Sequence, residues 1–403
     1  MEHMTIDPET TALDTPGCRN GQVFLDSAGS SLAPARVADT VVDHLRRETE
    51  IGGYRAAAER EEDLEAGYSV FAELLGCAPE EIAFTDSATR SWFAAFRSIP
   101  LKENDRILIT EVEYGGNAVA MLRRAEAVGA SVEVVPSDPS GEVSPTALRE
   151  LLDERVRFVS LVHAPTNGGL LNPVREVVDA AHDVGALVLL DGCQSVGQIS
   201  CRADETGADF IAGTGRKWLR GPRGTGFLYA RRSILDDLIL DEIDHHGGEW
   251  TAPDRTRARD DAKVFELWES SIADRLGLIE AARYALELGV PEIREAVRGI
   301  SGRLREGLAR IEGVRVHDLG ARHSGIVTFD VEGVPAPEVV AALARADVTV
   351  TVSREASTRI DMERRGLTEI VRASPHYFVT PQRVDRALEL VEGIVRGARN
   401  GGA

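Results

Sequence analysis

The strongest constraint on this 403-residue chain is an alternation. From about residue 30 to 245, short apolar runs trade places with helical stretches. The candidate strands are IAFT (82–85), RILIT (106–110), SVEVV (131–135), FVSLVHA (158–164), LVLLD (187–191), FIAG (210–213) and GFLY (226–229). Most are continuously apolar, the pattern of strands covered on both faces. Helical stretches such as 115–129 and 172–185 lie between them. The second has Pro173 near its start and Gly185 at its end, the normal punctuation of a helix. This order predicts an α/β fold with a seven-stranded, mainly parallel sheet and right-handed crossovers. After residue 245 the pattern changes. The stretch 245–264 is polar and loop-like, helices follow at about 270–288 and 291–311, and strand-like pieces occupy 325–331 and 348–353 before a last helix at about 381–397. Three parts are expected: an N-terminal segment (1–30), a large domain (31–250) and a smaller C-terminal α+β domain (251–403).

Composition narrows the function classes. A net charge of −20 argues against a nucleic-acid partner, because phosphate backbones need basic surfaces. No apolar run approaches the roughly 18 residues of a membrane span, and the acidic N-terminus lacks the apolar centre of a signal peptide. The four cysteines (Cys18, Cys77, Cys193, Cys201) are widely spaced, with no CxxC pair, which fits reduced thiols in a cytoplasm. No His or Cys cluster has metal-ligand spacing.

In open α/β sheets ligands bind beyond the carboxyl ends of the strands. There the chain places DSAT (86–89) at a helix start, EVEYGGN (111–117) with Tyr114, PTNGG (165–169) with Thr166 and Asn167, DGCQ (191–194) with Asp191 and Gln194, and TGRK (214–217) with Thr214, Arg216 and Lys217. Lysine is scarce, only Lys102, Lys217 and Lys263 among 46 basic residues, and unlike arginine it can lose its proton and form an imine. There is no GxGxxG, GxxxxGK[ST] or GxSxG motif, so a dinucleotide fold, a P-loop enzyme and an α/β-hydrolase lack their signatures. One carboxylate, one lysine, one aromatic ring and one anion cradle at a single sheet edge suit pyridoxal 5'-phosphate. That cofactor needs an amine, a partner for its ring nitrogen, a stacked ring and phosphate donors at a helix start.

At this point the chain resembles the class V aminotransferase-type enzymes of pyridoxal phosphate fold type I. The matching stretches are FLDSAGSSLAP (24–34), FTDSATRSW (84–92), EVEYGGN, PTNGGLLNPV (165–174), LLDGCQSVGQI (189–199), TGRKWLRGPRGTGFLY (214–229) and VRASPHYFVTPQRVDRAL (371–388). The resemblance implies Lys217 as the lysine that binds the cofactor and Asp191 as the partner of the pyridine nitrogen. It implies Gln194 as a donor to the phenolic oxygen and Tyr114 as the stacking ring. Ser87, Ala88, Thr89, Thr214 and Arg216 become phosphate ligands, and Arg372 the clamp for the substrate α-carboxylate. Thr166 or Asn167 stands for a family asparagine, the register being open. Ala28, Gly29 and Asn167 are expected near the substrate, and Tyr54 and His376 as acids at the mouth. Trp268, in FELWESS, aligns with a segment that reaches a neighbouring subunit's phosphate, which implies a homodimer with shared sites; plain core packing is the other reading.

One departure shaped the expected reaction. Cysteine desulfurases of this family carry a nucleophilic cysteine in the loop before the final arginine motif, and residues 348–374 here hold none. The expectation is therefore not a cysteine desulfurase but a carbon–sulfur lyase of the epimerase-like branch. It would eliminate thiol or sulfenate from an S-substituted cysteine to leave pyruvate and ammonia, in a secondary-metabolite, antibiotic or thiol pathway of ergothioneine or lincosamide type. A decarboxylating oxidative deaminase and an aminotransferase or epimerase are the alternatives.

Overall fold

The computed structural model describes residues 6–401, so the ends of the two terminal parts expected from the sequence lie outside the described residues. Seven strands make the central sheet, in the order Ile82–Thr85, Gly226–Ala230, Phe210–Thr214, Leu187–Asp191, Val156–Val162, Arg106–Thr110, Ser131–Val135. Only Gly226–Ala230 runs against its neighbours; the other pairings are parallel. Both faces are covered. In Leu187–Asp191, Val188 and Leu190 join one apolar core while Leu189 joins another with Trp92, Phe96 and Phe158. Residues two apart share a face, so a strand buried on both sides must be apolar throughout.

The C-terminal part carries a four-stranded antiparallel sheet, ordered Val314–Val316, Val327–Val331, Glu369–Ala373, Thr351–Arg354. The N-terminal segment belongs with it. Val23–Phe24 pairs in parallel with Val348–Thr349, and Asp26 bridges to Ser374. The polar stretch expected to be a loop instead contains an antiparallel hairpin, Gly248–Ala252 with Arg255–Ala258. Its residues are mostly exposed, so no apolar alternation marked it. No described helix is long and apolar enough to cross a membrane.

Antiparallel entry of Gly226–Ala230 has a consequence for chemistry. Gly226 starts its strand opposite Thr85 and Thr214, which end theirs. Its first residue therefore lies at the sheet edge where the parallel strands finish.

Candidate active site

A cleft opens at that edge. Ser87, Ala88, Thr89, Tyr114, Thr166, Asp191, Gln194, Thr214, Arg216 and Lys217 all line it, with Trp92, Asn117, Val162, Ala164 and Cys193.

The anion end is built by helix Ala88–Ser98. Ser87 caps it, its hydroxyl accepting from the Arg90 amide at 3.2 Å. The Ala88 and Thr89 amides have no intrahelical acceptor, as the first N–H groups of any helix lack one, so they are available to an anion. Gly226 lets the next strand pass beneath this turn. A Cβ there would lie 2.3 Å from the Ser87 carbonyl carbon and 2.6 Å from the Ala88 nitrogen.

Lys217 follows strand Phe210–Thr214. Among the described residues its amine makes no hydrogen bond or ion pair, and burial, assisted by the charges of Arg216 and Arg372, holds its pKa below the usual lysine value. Asp191 is the opposite case. Its Oδ1 accepts the Cys193 amide at 3.0 Å and its Oδ2 accepts Asn117 Nδ2 at 2.9 Å. A carboxylate held by two donors is fixed in place. Gln194 is oriented by the neighbour of the lysine. The Trp218 indole donates to Gln194 Oε1 at 2.9 Å, which turns Nε2 toward Ala28 O (3.1 Å) and Thr166 Oγ1 (3.3 Å).

At 166–167 the two side chains part. Thr166 faces the cleft and accepts Arg372 Nη1 at 2.8 Å, whereas Asn167 turns away, its Nδ2 donating to Arg354 O at 3.0 Å. Arg372 also donates Nη2 to Asp26 at 3.1 Å, while its buried Nε has no partner among the described residues. Ala28 and Gly29 form the turn above these groups, the Gly29 carbonyl accepting from Arg216.

Besides Asn167, three expected site residues stand elsewhere. His376, expected as a mouth acid, is fully buried: Nε2 donates to Trp218 O at 3.0 Å and Nδ1 accepts the Tyr377 amide at 2.9 Å. Burial pushes its pKa well down, so it is a neutral clasp under the lysine segment rather than an acid. Tyr54 is 82% exposed on helix Gly53–Ala58, outside the cleft. Trp268 is 53% exposed against the His245 ring, so core packing within this chain is not its role. From the sequence, Cys193 is expected to pack under the cofactor ring rather than attack, Asn117 is noted in its loop without a role, and Trp92 has none. Asn117 carried a signal, since it falls in the first turn of a helix opened by Tyr114.

The residues fit a phosphorylated pyridine aldehyde: an unpartnered amine, a doubly held carboxylate and a cradle that a Cβ at 226 would fill. Known proteins agree. The family model for aminotransferase class V matches residues 23–387. A probable cysteine desulfurase of Mycobacterium leprae is 31% identical, over 94% of this chain and 92% of its own. The apo structure of a cysteine desulfurase from Thermococcus onnurineus superposes with a TM-score of 0.91 at 25% identity, covering 98% of this chain and 100% of that one. A cystine C–S lyase solved with its product cysteine persulfide shares the fold, with a TM-score of 0.84 at 21% identity over 94% of this chain and 99% of that one.

These findings overturn the exclusion of cysteine desulfurases, and the S-conjugate lyase expected in their place has no support as the specific activity. The inference from residues 348–374 was too strong for a physical reason. A missing loop thiol bears on where sulfur goes, not on the pocket that breaks its bond to carbon, and a thiol, Cys193, does line this cleft. The fold is that of pyridoxal phosphate fold type I, the cofactor is pyridoxal phosphate, and the chain belongs to the aminotransferase class-V family.

Proposed function

We propose that this enzyme breaks the Cβ–Sγ bond of L-cysteine and passes the sulfur to an acceptor thiol, leaving L-alanine. The observation that carries the chemistry is the unpartnered Lys217 amine in one cleft with the doubly held Asp191. The names of the relatives support cysteine as substrate. When bound, pyridoxal phosphate supplies an electron sink joined to the substrate's Cα.

The chain's own residues do the rest. Lys217 anchors the cofactor covalently. Once released it is a base for the Cα proton, its depressed pKa keeping a usable fraction neutral. Asp191 would keep a proton on the ring nitrogen, and the Ala88 and Thr89 amides with Thr214 and Arg216 would take the phosphate. Tyr114, 43% exposed and lining the cleft, would help hold the ring. Arg372 receives the substrate carboxylate through its free Nε and by exchanging Asp26. Cys193 stays a thiol, since burial and then the charge of Asp191 push its pKa well up, so the acceptor thiol comes from outside the cleft. Exposed Trp268 supports a homodimer in which it meets a second copy.

Holoenzyme incubated with L-cysteine and dithiothreitol is expected to yield alanine and sulfide in equal amounts. Pyruvate in place of alanine would refute the assignment.

A further inference from the structure

Behind Asp191 lies a second carboxyl that the mechanism above leaves unused. Glu113 sits in the turn between strand Arg106–Thr110 and helix Gly115–Val128, and only 3% of it is exposed. Its Oε1 accepts the Tyr114 amide at 2.8 Å and Asn117 Nδ2 at 3.1 Å. The same Asn117 nitrogen donates to Asp191 Oδ2 at 2.9 Å. One amide group therefore spends its two hydrogens on two carboxyls and ties them together.

Glu113 Oε2 has no hydrogen-bond partner among the described residues. The Ser160 hydroxyl on strand Val156–Val162 lies near it, close enough to work against the rise of its pKa, and has no other partner among the described residues. The elements packed around Glu113 present Thr110, Asn117, Ser160 and Asp191, of which Asp191 is the one other carboxyl. Glu111, two residues earlier, turns outward to Arg364 at 2.6 Å. Burial and then the charge of Asp191 raise the Glu113 pKa to about 7. A buried carboxyl joined to a second one by a shared amide is a sensitive source of field, because its ionisation places a negative charge behind its neighbour.

The geometry points to Glu113 as a positioning residue for Asp191: through the Asn117 amide it sets how strongly Asp191 holds the proton on the cofactor's ring nitrogen. This rests on the reading that Asp191 meets that nitrogen. Above neutrality the ionised Glu113 strengthens the hold, and below it the neutral acid relaxes it.

The test is affinity of the apoenzyme for pyridoxal phosphate between pH 5.5 and 8, in wild type and Glu113→Gln. Solution titrations of the cofactor are common to both, so the ratio of affinities isolates Glu113. The ratio is expected to rise roughly tenfold in favour of wild type as pH passes 7, the effect of about one pKa unit of coupling. A ratio that stays flat would reduce Glu113 to a fold residue and overturn the proposal. Wild type is also titrated with 1-deazapyridoxal phosphate, which has carbon in place of the ring nitrogen; this needs no variant to fold. Preference for the natural cofactor should grow through pH 7. A preference that is large but independent of pH sinks only the Glu113 role. No preference at any pH sinks the Asp191 reading itself.

Discussion

Two kinds of buried titratable residue pull the pH dependence of folding in opposite directions. Glu113 holds its proton up to about pH 7, against an ordinary value of 4.5, so the native state binds a proton that the unfolded chain releases. Stability from this residue falls as pH rises from about 4.5 to 7. His163, pulled down to about 4 from 6.5 mainly by burial, does the reverse: the unfolded chain binds the extra proton, so stability falls as pH drops from about 6.5 to 4. Between 4.5 and 6.5 the two slopes offset each other. Glu113→Gln removes one of them, and in that window the slope of apoenzyme stability against pH, by urea titration, should be more positive than in wild type by about 1.4 kcal/mol per unit. An unaltered profile would mean that Glu113 ionises normally. Arg220 is a second residue-scale case. It is fully buried, and no carboxylate lies within ion-pair distance among the described residues. Instead it donates to Leu32 O (2.9 Å), the Tyr377 hydroxyl (2.9 Å) and Thr15 Oγ1 (2.6 Å), with its guanidinium over the Tyr377 and Phe378 rings. Arg220→Lys keeps the charge but loses the fork. It should cost about 2–4 kcal/mol in urea denaturation, by stranding buried acceptors. A cost under about 0.5 kcal/mol would show that the fork is dispensable.

At the scale of elements, the anion cradle depends on a strand that touches no ligand. Gly226→Ala drives a Cβ into the Ser87–Ala88 backbone, which cannot move aside as a flexible side chain would. The expected outcome is at least a tenfold loss of pyridoxal phosphate affinity with about 1–3 kcal/mol of overpacking cost. Calorimetry of cofactor binding and apoenzyme melting measure the two separately, and unchanged affinity would show that the turn tolerates the shift. The same elements show what a sequence exposes. Most strands from Ile82 to Ala230 were legible because burial on both faces demands unbroken apolar runs; Ser131–Val135, at the sheet's edge, is largely open. Val156–Val162 starts two residues before the run suggested because Arg157, within it, is exposed. The hairpin at 248–258 was invisible because neither face is buried. Pairing of Val23–Phe24 with Val348–Thr349 joins residues more than three hundred positions apart, and no local pattern encodes that.

For the molecule as a whole, the cleft follows from topology more than from any motif. Strands that end together at one edge bring Asp191, Thr214 and Lys217 to one place, and their loops add Tyr114 and Thr166. That gathering was readable once the strands were. Which side chain of a loop turns inward was not: Thr166 and Asn167 are adjacent, and only the packing of Asn167 against Arg354 and Met362 separates them. His376 misled for a similar reason, since a histidine after a strand looks available until the Trp218 carbonyl is seen to hold it. Glu113 carried no sequence signal because its significance lies in a neighbour 78 positions away, Asp191, met through Asn117. The central claim is that Lys217 holds the cofactor. Borohydride treatment of holoenzyme followed by peptide mass mapping tests it directly, in a chain with only two other lysines. The account predicts a pyridoxyl adduct on the peptide containing Lys217; an adduct on Lys102 or Lys263, or on no peptide, would contradict it.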